Sequence, residues 1–189
     1  MLKKIDLQRF AAPADIILGD GVFSIGGTST GGGTAIALTR GGGNFAVERE
    51  YRMIEADGDY GPVKERIRLI REVAKLNMKN LEIVPANMED YYPVASAAAT
   101  AASTTSTFTT RSLTTNITSE DYNWVQWVGY NKAGREVKIV LENAINLENL
   151  SWDLIDKEEI INELTFQAAY GGTTRNTAPW KVYFTTTSS

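Results

Sequence analysis

Apolar and polar residues alternate through much of the second half of the chain, which is the pattern of a β-strand with one buried face. Val137, Ile139 and Leu141 alternate with charged residues, and the segment 160–170 alternates in the same way. The turn sequence at 131–135 separates two such segments, so it predicts a long hairpin. The strands expected in this half are 122–130, 136–143, 160–170 and 180–184.

The first half contains three further strand-like segments, at 16–25, 35–39 and 44–51. The second and third are separated by the three glycines at 41–43, and we expect these two segments to pair across a turn there. Phe45 and Val47 should face the core, because Glu48 and Glu50 alternate with them and suit a solvated face.

The middle of the chain is less regular. In residues 66–83 apolar residues recur at helical spacing, but those at odd positions fit a strand equally well, so periodicity leaves both open. A short helix is expected at 87–92, with Asn87 as its N-cap and Pro93 ending it. The tract 95–115, rich in Ala, Ser and Thr, should be mobile or form an edge strand.

Together these segments predict a mainly β fold: an antiparallel β-sandwich or barrel with one short flanking α-helix and long loops. A length of 189 residues suits one domain. The expected divisions are an N-terminal arm at 1–13, a β domain at 14–184 and a C-terminal tail at 185–189. Within the β domain we expect a flexible glycine-rich loop at 26–33, an inter-strand loop at 49–66 and an insertion at 95–115.

Cysteine and histidine are both missing from the sequence. Their absence excludes disulfides, thiolate or imidazole zinc sites and nucleophilic triads that use an imidazole base. A net charge of -4 and a pI near 5.0 disfavour a protein that grips nucleic acid. No apolar run reaches the ~20 residues of a membrane span. The N-terminal segment lacks the apolar centre of a signal peptide, so we expect synthesis in the cytoplasm.

Charges change sign along the middle of the chain. Residues 48–59 hold five acids and two bases, whereas residues 64–79 hold six bases and two acids. Adjacent patches of opposite sign suit a heterologous contact between identical subunits, in which one patch of a subunit meets a different patch of its neighbour. The alternative is a hairpin whose charges simply face water.

Candidate chemistry is weak. Asp57 and Asp59 alternate as in a calcium loop, but the glycine falls one position early and the twelfth-position glutamate is missing. Carboxylate pairs such as Glu158 and Glu159 are common on solvated walls, so an enzyme acting on polysaccharide ranks third. A β-sandwich carbohydrate-binding module is the alternative from another class, because four tryptophans could form a stacking platform. They are Trp124, Trp127, Trp152 and Trp180.

Several segments, in order, resemble one known family. They are 17–23 (ILGDGVF), 38–42 (LTRGG), 45–52 (FAVEREYR), 54–64 (IEADGDYGPVK), 81–83 (LEI) and the closing strand 160–170. This succession resembles the major tail tube protein of long, non-contractile-tailed bacteriophages, over most of residues 14–184. The first residues, 1–11, are similar to the start of many phage structural proteins from Gram-positive hosts.

The resemblance implies a structural virion protein without enzymatic activity or cofactor, made in the host cytoplasm and built into the phage tail. In this family subunits form hexameric rings, which stack so that inner sheets join into one β-tube around a DNA channel. The partners implied are further copies of the chain and the tape measure, tail tip and tail terminator proteins. DNA passes through without specific binding.

The resemblance also assigns candidate residues. A long loop that bridges stacked rings maps onto residues 49–66. The contact residues expected from this are Arg49, Glu55, Asp57, Asp59, Tyr60, Lys64, Arg66 and Arg68. Family lumens tend to be acidic, which opposes DNA sticking. The lumen-lining residues expected here are Glu48, Glu50, Glu142 and Glu163, although strand alternation alone fits the outer wall of a tube equally well.

Overall fold

A computed structural model describes residues 15–28, 32–36, 38–84, 87–99, 106–110 and 116–185. The strands are β1 (Ile17–Ile25), β2 (Thr34–Ile36), β3 (Thr39–Met53), β4 (Ile67–Asn80), β5 (Ala95–Ala99), β6 (Ser106–Thr110), β7 (Asn123–Asn131), β8 (Glu136–Asn146), β9 (Asn162–Ala168) and β10 (Trp180–Phe184). The helix α1 (Met88–Tyr91) and a 3₁₀ turn at Ser119–Asp121 accompany them. The fold is therefore mainly β with a short helix, as the sequence predicts. The expected N-terminal arm, the centre of the glycine-rich loop and most of the C-terminal tail lie outside the described residues.

Eight strands form one antiparallel sheet in the order β2-β1-β7-β8-β9-β4-β3, and β10 adds to β8. β8 changes partner along its length: Val137–Leu141 pair with β10, and Ala144–Asn146 pair with β9. Between these stretches Asn143 has a φ of +49°, and the register with β7 shifts. A bulge thus bends β8 where one neighbour replaces the other.

The sheet curls around one core. The ring of Phe23 in β1 lies against Gly43 in β3, so closely that a Cβ on Gly43 would come 2.5 Å from it. β1 and β3 lie at opposite sides of the strand order, so this contact requires curvature. Trp180 of β10 packs on Phe45 of β3 with ring centroids 5.8 Å apart. The enclosed cluster includes Leu76, Met78, Leu141, Leu164 and Phe166.

An indole covers a pair of glycines beside this core. Gly21 of β1 and Gly129 of β7 are cross-strand partners. A Cβ on Gly21 would lie 2.4 Å from the Trp127 side chain, and one on Gly129 would lie 2.3 Å from it. The ring therefore lies directly on the backbone of the two glycines, where any other residue would place a Cβ atom. It covers a part of the sheet that has no side chains of its own.

The helix closes one end of the curled sheet. Its residue Tyr91 and the following Tyr92 are buried, and three buried asparagines hold this segment. Tyr92 Oη donates to Asn162 Oδ1 at 2.7 Å, Asn146 Nδ2 donates to the Tyr91 carbonyl at 2.9 Å, and Asn80 Nδ2 donates to Tyr91 Oη at 3.3 Å. Buried polar groups require such partners, so the asparagines fix where the helix sits.

The tract at 95–115 contributes a hairpin to this end of the domain. β5 pairs with β6, and Phe108 of β6 meets Tyr92 with ring centroids 6.2 Å apart. The described part of the tract therefore forms strands in a two-stranded sheet of its own, while residues 100–105 and 111–115 lie outside the described residues. The predicted helix at 87–92 is confirmed.

The expected pairing of 35–39 with 44–51 is wrong. β2 pairs with β1, while β3 runs straight through the three glycines and pairs with β4. Gly41 and Gly42 have φ values of +79° and +74°, and the register of β3 shifts between Thr39 and Gly43. The glycines therefore form a bulge within one strand and not a turn between two.

The ambiguous segment 66–83 is a strand. β4 lies between β3 and β9, and its even positions from Ala74 to Asn80 are buried. The apolar residues at odd positions, which suggested the strand, do not form the buried face. Pairing with β3 and with β9 stabilises the extended conformation of this segment. The periodicity of the segment itself carries no information about such partners.

Candidate assembly surface

β3 and β4 extend beyond the body of the sheet as a two-stranded ribbon. β9 pairs with β4 only from Lys75 to Asn80, so residues 49–72, which we call the ribbon, have no third strand among the described residues. From Glu48 to Arg71 every residue except Asp59 is exposed. An isolated two-stranded hairpin is only marginally stable in water. A ribbon of this length therefore suits support from another molecule.

One face of the ribbon is apolar. Tyr51 lies opposite Leu69, and Met53 lies opposite Ile67, with Ile70 at the register shift between them and the body. Their exposed fractions run from 47% to 56%. Contiguous apolar side chains left this open are typical of protein–protein contacts, whereas single exposed apolar residues are not informative.

The other face of the ribbon is charged. Glu50 lies opposite Arg71, and Arg52 lies directly opposite Arg68. No ion pair involves Arg52, Arg68 or Arg71 among the described residues. Like charges in opposite positions of neighbouring strands destabilise a sheet, so this face favours an acidic partner.

The tip of the ribbon is organised by one carboxylate. Asp59 Oδ2 accepts from the Ala56 amide at 2.8 Å and from Arg66 Nη1 at 2.7 Å. This carboxylate is therefore occupied by the loop itself, which agrees with a turn and not with a calcium loop. Tyr60 stands fully exposed beside it. Among the predicted contact residues, Asp59 and Arg66 shape the tip, while Glu55, Asp57 and Lys64 remain on its surface.

A hydrogen-bonded group anchors the base of the ribbon. Glu72 accepts from the Trp180 indole Nε1 at 2.8 Å and from Arg49 Nε at 2.7 Å. These two donors, the indole first, lower the pKa of Glu72, and the carboxylate raises the pKa of Arg49. Arg49 thus belongs to the fold of the ribbon base as well as to the predicted contact set.

This group predicts a pH-dependent effect. We expect Glu72→Gln to lower the free energy of unfolding by about 1 kcal/mol near neutral pH, because a charged acceptor is lost. The folded-state pKa lies below the ordinary value of 4.5, so the contribution is present above that value and is lost as pH falls through the folded pKa. Urea unfolding of wild type and variant between about pH 7 and pH 3 measures it.

Glu50→Gln provides the matched control for that experiment. Glu50 lies on the same ribbon but makes no ion pair among the described residues. Its substitution removes one carboxylate from the ribbon without breaking an ion pair, so it controls for the change in charge. A pH-independent loss in Glu72→Gln would instead indicate altered packing against Trp180.

The four predicted lumen acids lie on β3, β8 and β9, and three of them are paired. The ion pairs are Glu48 with Lys75 at 2.8 Å, Glu163 with Lys79 at 2.5 Å, and Glu142 with Lys181 at 2.5 Å. The Glu142 carboxylate raises the pKa of Lys181. The expected acidic wall is therefore charge-balanced along these strands, because a neighbouring strand places a lysine beside each of the three acids. Glu50 is the exception among the four.

The tryptophans do not form a common exposed platform. Trp127 is buried, and Trp180 packs against the core while its indole nitrogen is bound to Glu72. Trp124 is half-buried, with its Nε1 enclosed. Of the four, only Trp152 is exposed, in the loop between β8 and β9. Their placement favours packing over sugar stacking.

A groove of about 750 Å³ runs along the base of the ribbon. Its lining includes Leu69, Arg71, Tyr170 and Arg175, and Glu72 is the one acid among the described lining residues. Glycoside hydrolysis ordinarily uses two carboxylates. This groove supplies one, and that carboxylate is already bound by two donors.

The loop of residues 147–161 is an exposed segment that no sequence pattern indicated. It carries several large apolar side chains that are 38% to 79% exposed: Leu147, Leu150, Trp152, Leu154 and Ile155. Apolar residues at irregular spacing, without the alternation of a strand, were the available signal. A single sequence cannot distinguish such residues from those of a buried loop.

Comparison of the chain with protein-family models and with curated protein sequences finds no match. Within the described ranges, no helix has the length and apolar character needed to cross a membrane. The same ranges contain no cluster of three or more acidic side chains arranged to hold a metal ion.

Proposed function

We propose that this chain is a structural subunit of a phage tail tube. Copies polymerise as stacked hexameric rings, and the resulting tube serves as the conduit for DNA in the virion. The protein has no enzymatic activity in this proposal, and its partners are its own copies and the other tail proteins. Two independent lines support it: the order of motifs along the chain, and a fold that is mainly β.

The observation that carries the proposal is the exposed ribbon. Its apolar face is exposed, and among the described residues its two strands lack the third strand that an independent hairpin needs. Burial of apolar surface contributes about 25 cal/mol per Å². Contact with further copies therefore supplies the stabilisation that the isolated ribbon lacks. A carbohydrate-binding module would not require this feature.

Electron microscopy of concentrated purified protein tests the proposal. Negative stain should show rings or hollow tubes. Analytical ultracentrifugation over a range of concentrations should show the corresponding loss of monomer. A protein that stays monomeric at high concentration, even with tail-initiating partners, would contradict it, and glycan binding without assembly would favour the carbohydrate-binding alternative.

The location of the charge-balanced face gives a second prediction. The sequence has no cysteine, so single reporters Glu48→Cys and Glu163→Cys can be introduced without background. If this face lines the bore, a bulky polyethylene glycol maleimide should label both variants as monomers but not in assembled tubes. A small maleimide should label both states and serves as the control. Full labelling of tubes by the bulky reagent would place the face on the outside.

A further inference from the structure

We propose that the loop of residues 147–161 in one copy docks on the ribbon of a second copy, in a head-to-tail contact. The inference rests on the proposed self-assembly and names the surfaces that meet. Its two elements are both exposed, they carry complementary charge, and they lie at opposite ends of the molecule.

The loop combines apolar side chains with acids. Residues 147–161 hold five acids and one base. Glu159 is paired with Arg40 of β3, while Asp153 and Glu158 are exposed and have no ion pair among the described residues. Leu154 and Ile155 between them are 79% and 57% exposed. The loop therefore offers acidic and apolar groups together.

The ribbon offers the complement. Its charged face presents Arg52, Arg68 and Arg71, with Arg52 and Arg68 opposite each other and without ion-pair partners among the described residues. Its apolar face presents Tyr51 and Leu69, which are 54% and 51% exposed. Acids placed between the arginines would relieve their repulsion, so the loop docks on the charged face, and the apolar face on the opposite side of the ribbon stays open to a further copy.

The two surfaces cannot meet within one chain. The loop ends at Asn162, which pairs with Asn80 at the far end of β4, and the ion pair of Glu159 with Arg40 holds it there. Arg68 and Asn80 are 12 residues apart in β4, which corresponds to about 40 Å at ~3.3 Å per residue. Different patches at opposite ends give a heterologous contact that repeats along one axis.

Charge reversal tests the contact. We expect a ribbon variant, Arg52→Glu with Arg68→Glu, and a loop variant, Asp153→Lys with Glu158→Lys, each to lose axial growth under conditions where wild type polymerises. Mixing the two separately prepared variants should restore axial growth with alternating layers, because the ribbon of each variant then meets a loop of opposite charge in the other. A chain carrying all four substitutions should recover axial growth. Asp20→Lys with Glu120→Lys, exposed acids elsewhere with the same change in charge, should assemble as wild type does.

Cysteine pairing tests the same contact without depending on tubes. Arg52→Cys with Asp153→Cys should give a ladder of disulfide-linked oligomers on a non-reducing gel, because the Cα atoms within one chain are far beyond the ~7 Å limit for a disulfide. Arg52→Cys with Ile117→Cys, in which Ile117 is 45% exposed, is the control and should give no ladder.

The outcomes separate the two proposals. Wild-type tubes with normal growth of the loop variant and no ladder would overturn the docking and leave the tube function standing. A ladder without rings or tubes would support the docking and contradict the tube. Short duplex DNA that binds wild type but not the ribbon variant, with no ladder, would assign the arginines to nucleic acid and overturn the docking.

Discussion

Removal of the ribbon should separate folding from assembly. When residues 51–70 are replaced by an Asn-Gly turn that joins Glu50 to Arg71, we expect a folded monomer that forms no tubes at any accessible concentration. Those two residues are cross-strand partners, so a two-residue turn can connect them. None of the removed residues is buried, so thermal unfolding should change by only a few degrees. Calorimetry and negative-stain microscopy measure the two effects.

Three smaller changes identify which part of the ribbon mediates assembly. Removal of Glu55–Gly61 shortens the tip and leaves the strands, so it should block assembly only if the tip itself makes the contact. Reversal of Arg68 to Glu should weaken assembly in a salt-dependent way. Reversal of Arg66 should also disturb the tip, because Arg66 is bound to Asp59. Normal tubes from the chain without its ribbon would eliminate the ribbon as an assembly element.

The second large effect concerns the indole that rests on two glycines. Trp127→Ala should cost about 3–5 kcal/mol of unfolding free energy, the range for truncating a buried aromatic. Gly129→Ala should cost at least about 1–3 kcal/mol, because its Cβ would meet the indole at 2.3 Å and the Asp20 carbonyl at 2.9 Å. Urea unfolding measures both losses.

A double-mutant cycle makes that prediction specific. In the Trp127→Ala background, Gly129→Ala should cost much less, because the ring that the new Cβ would strike is gone. The Asp20 carbonyl remains, so some cost should persist. Strict additivity of the two substitutions would show that the glycine is required for another reason, such as its backbone conformation in β7.

Strands in which buried and exposed residues alternate were predicted correctly from local sequence patterns. The β7–β8 hairpin, β9 and β10 follow from this, because a half-buried strand imposes its period on the sequence. The three glycines of β3 led to the wrong prediction of a turn, because glycine suits both a turn and a bulge. The partner strand decides which of the two forms. The long-range pairings, β1 with β7 and β4 with β9, have no local signal, so the order of the strands in the sheet could not be predicted.

The candidate surface was predicted only in part. The change of charge sign drew attention to the ribbon, but the opposition of Arg52 and Arg68 depends on a register shift that no spacing reveals. The lysines beside Glu48, Glu142 and Glu163 come from strands distant in sequence. Acidic residues were visible in the sequence, whereas their neutralisation required the sheet topology.

The alternating glutamates and lysines on β3, β4 and β9 would affect how easily a polyanion moves along a tube whose bore they line. Opposite charges a few ångströms apart cancel within the ~8 Å over which ions screen at physiological salt. A polyanion moving past such a wall would meet neither a strong barrier nor a string of binding sites. Its rate of transit would then vary little with ionic strength, and the driving pressure and the width of the passage would set the speed.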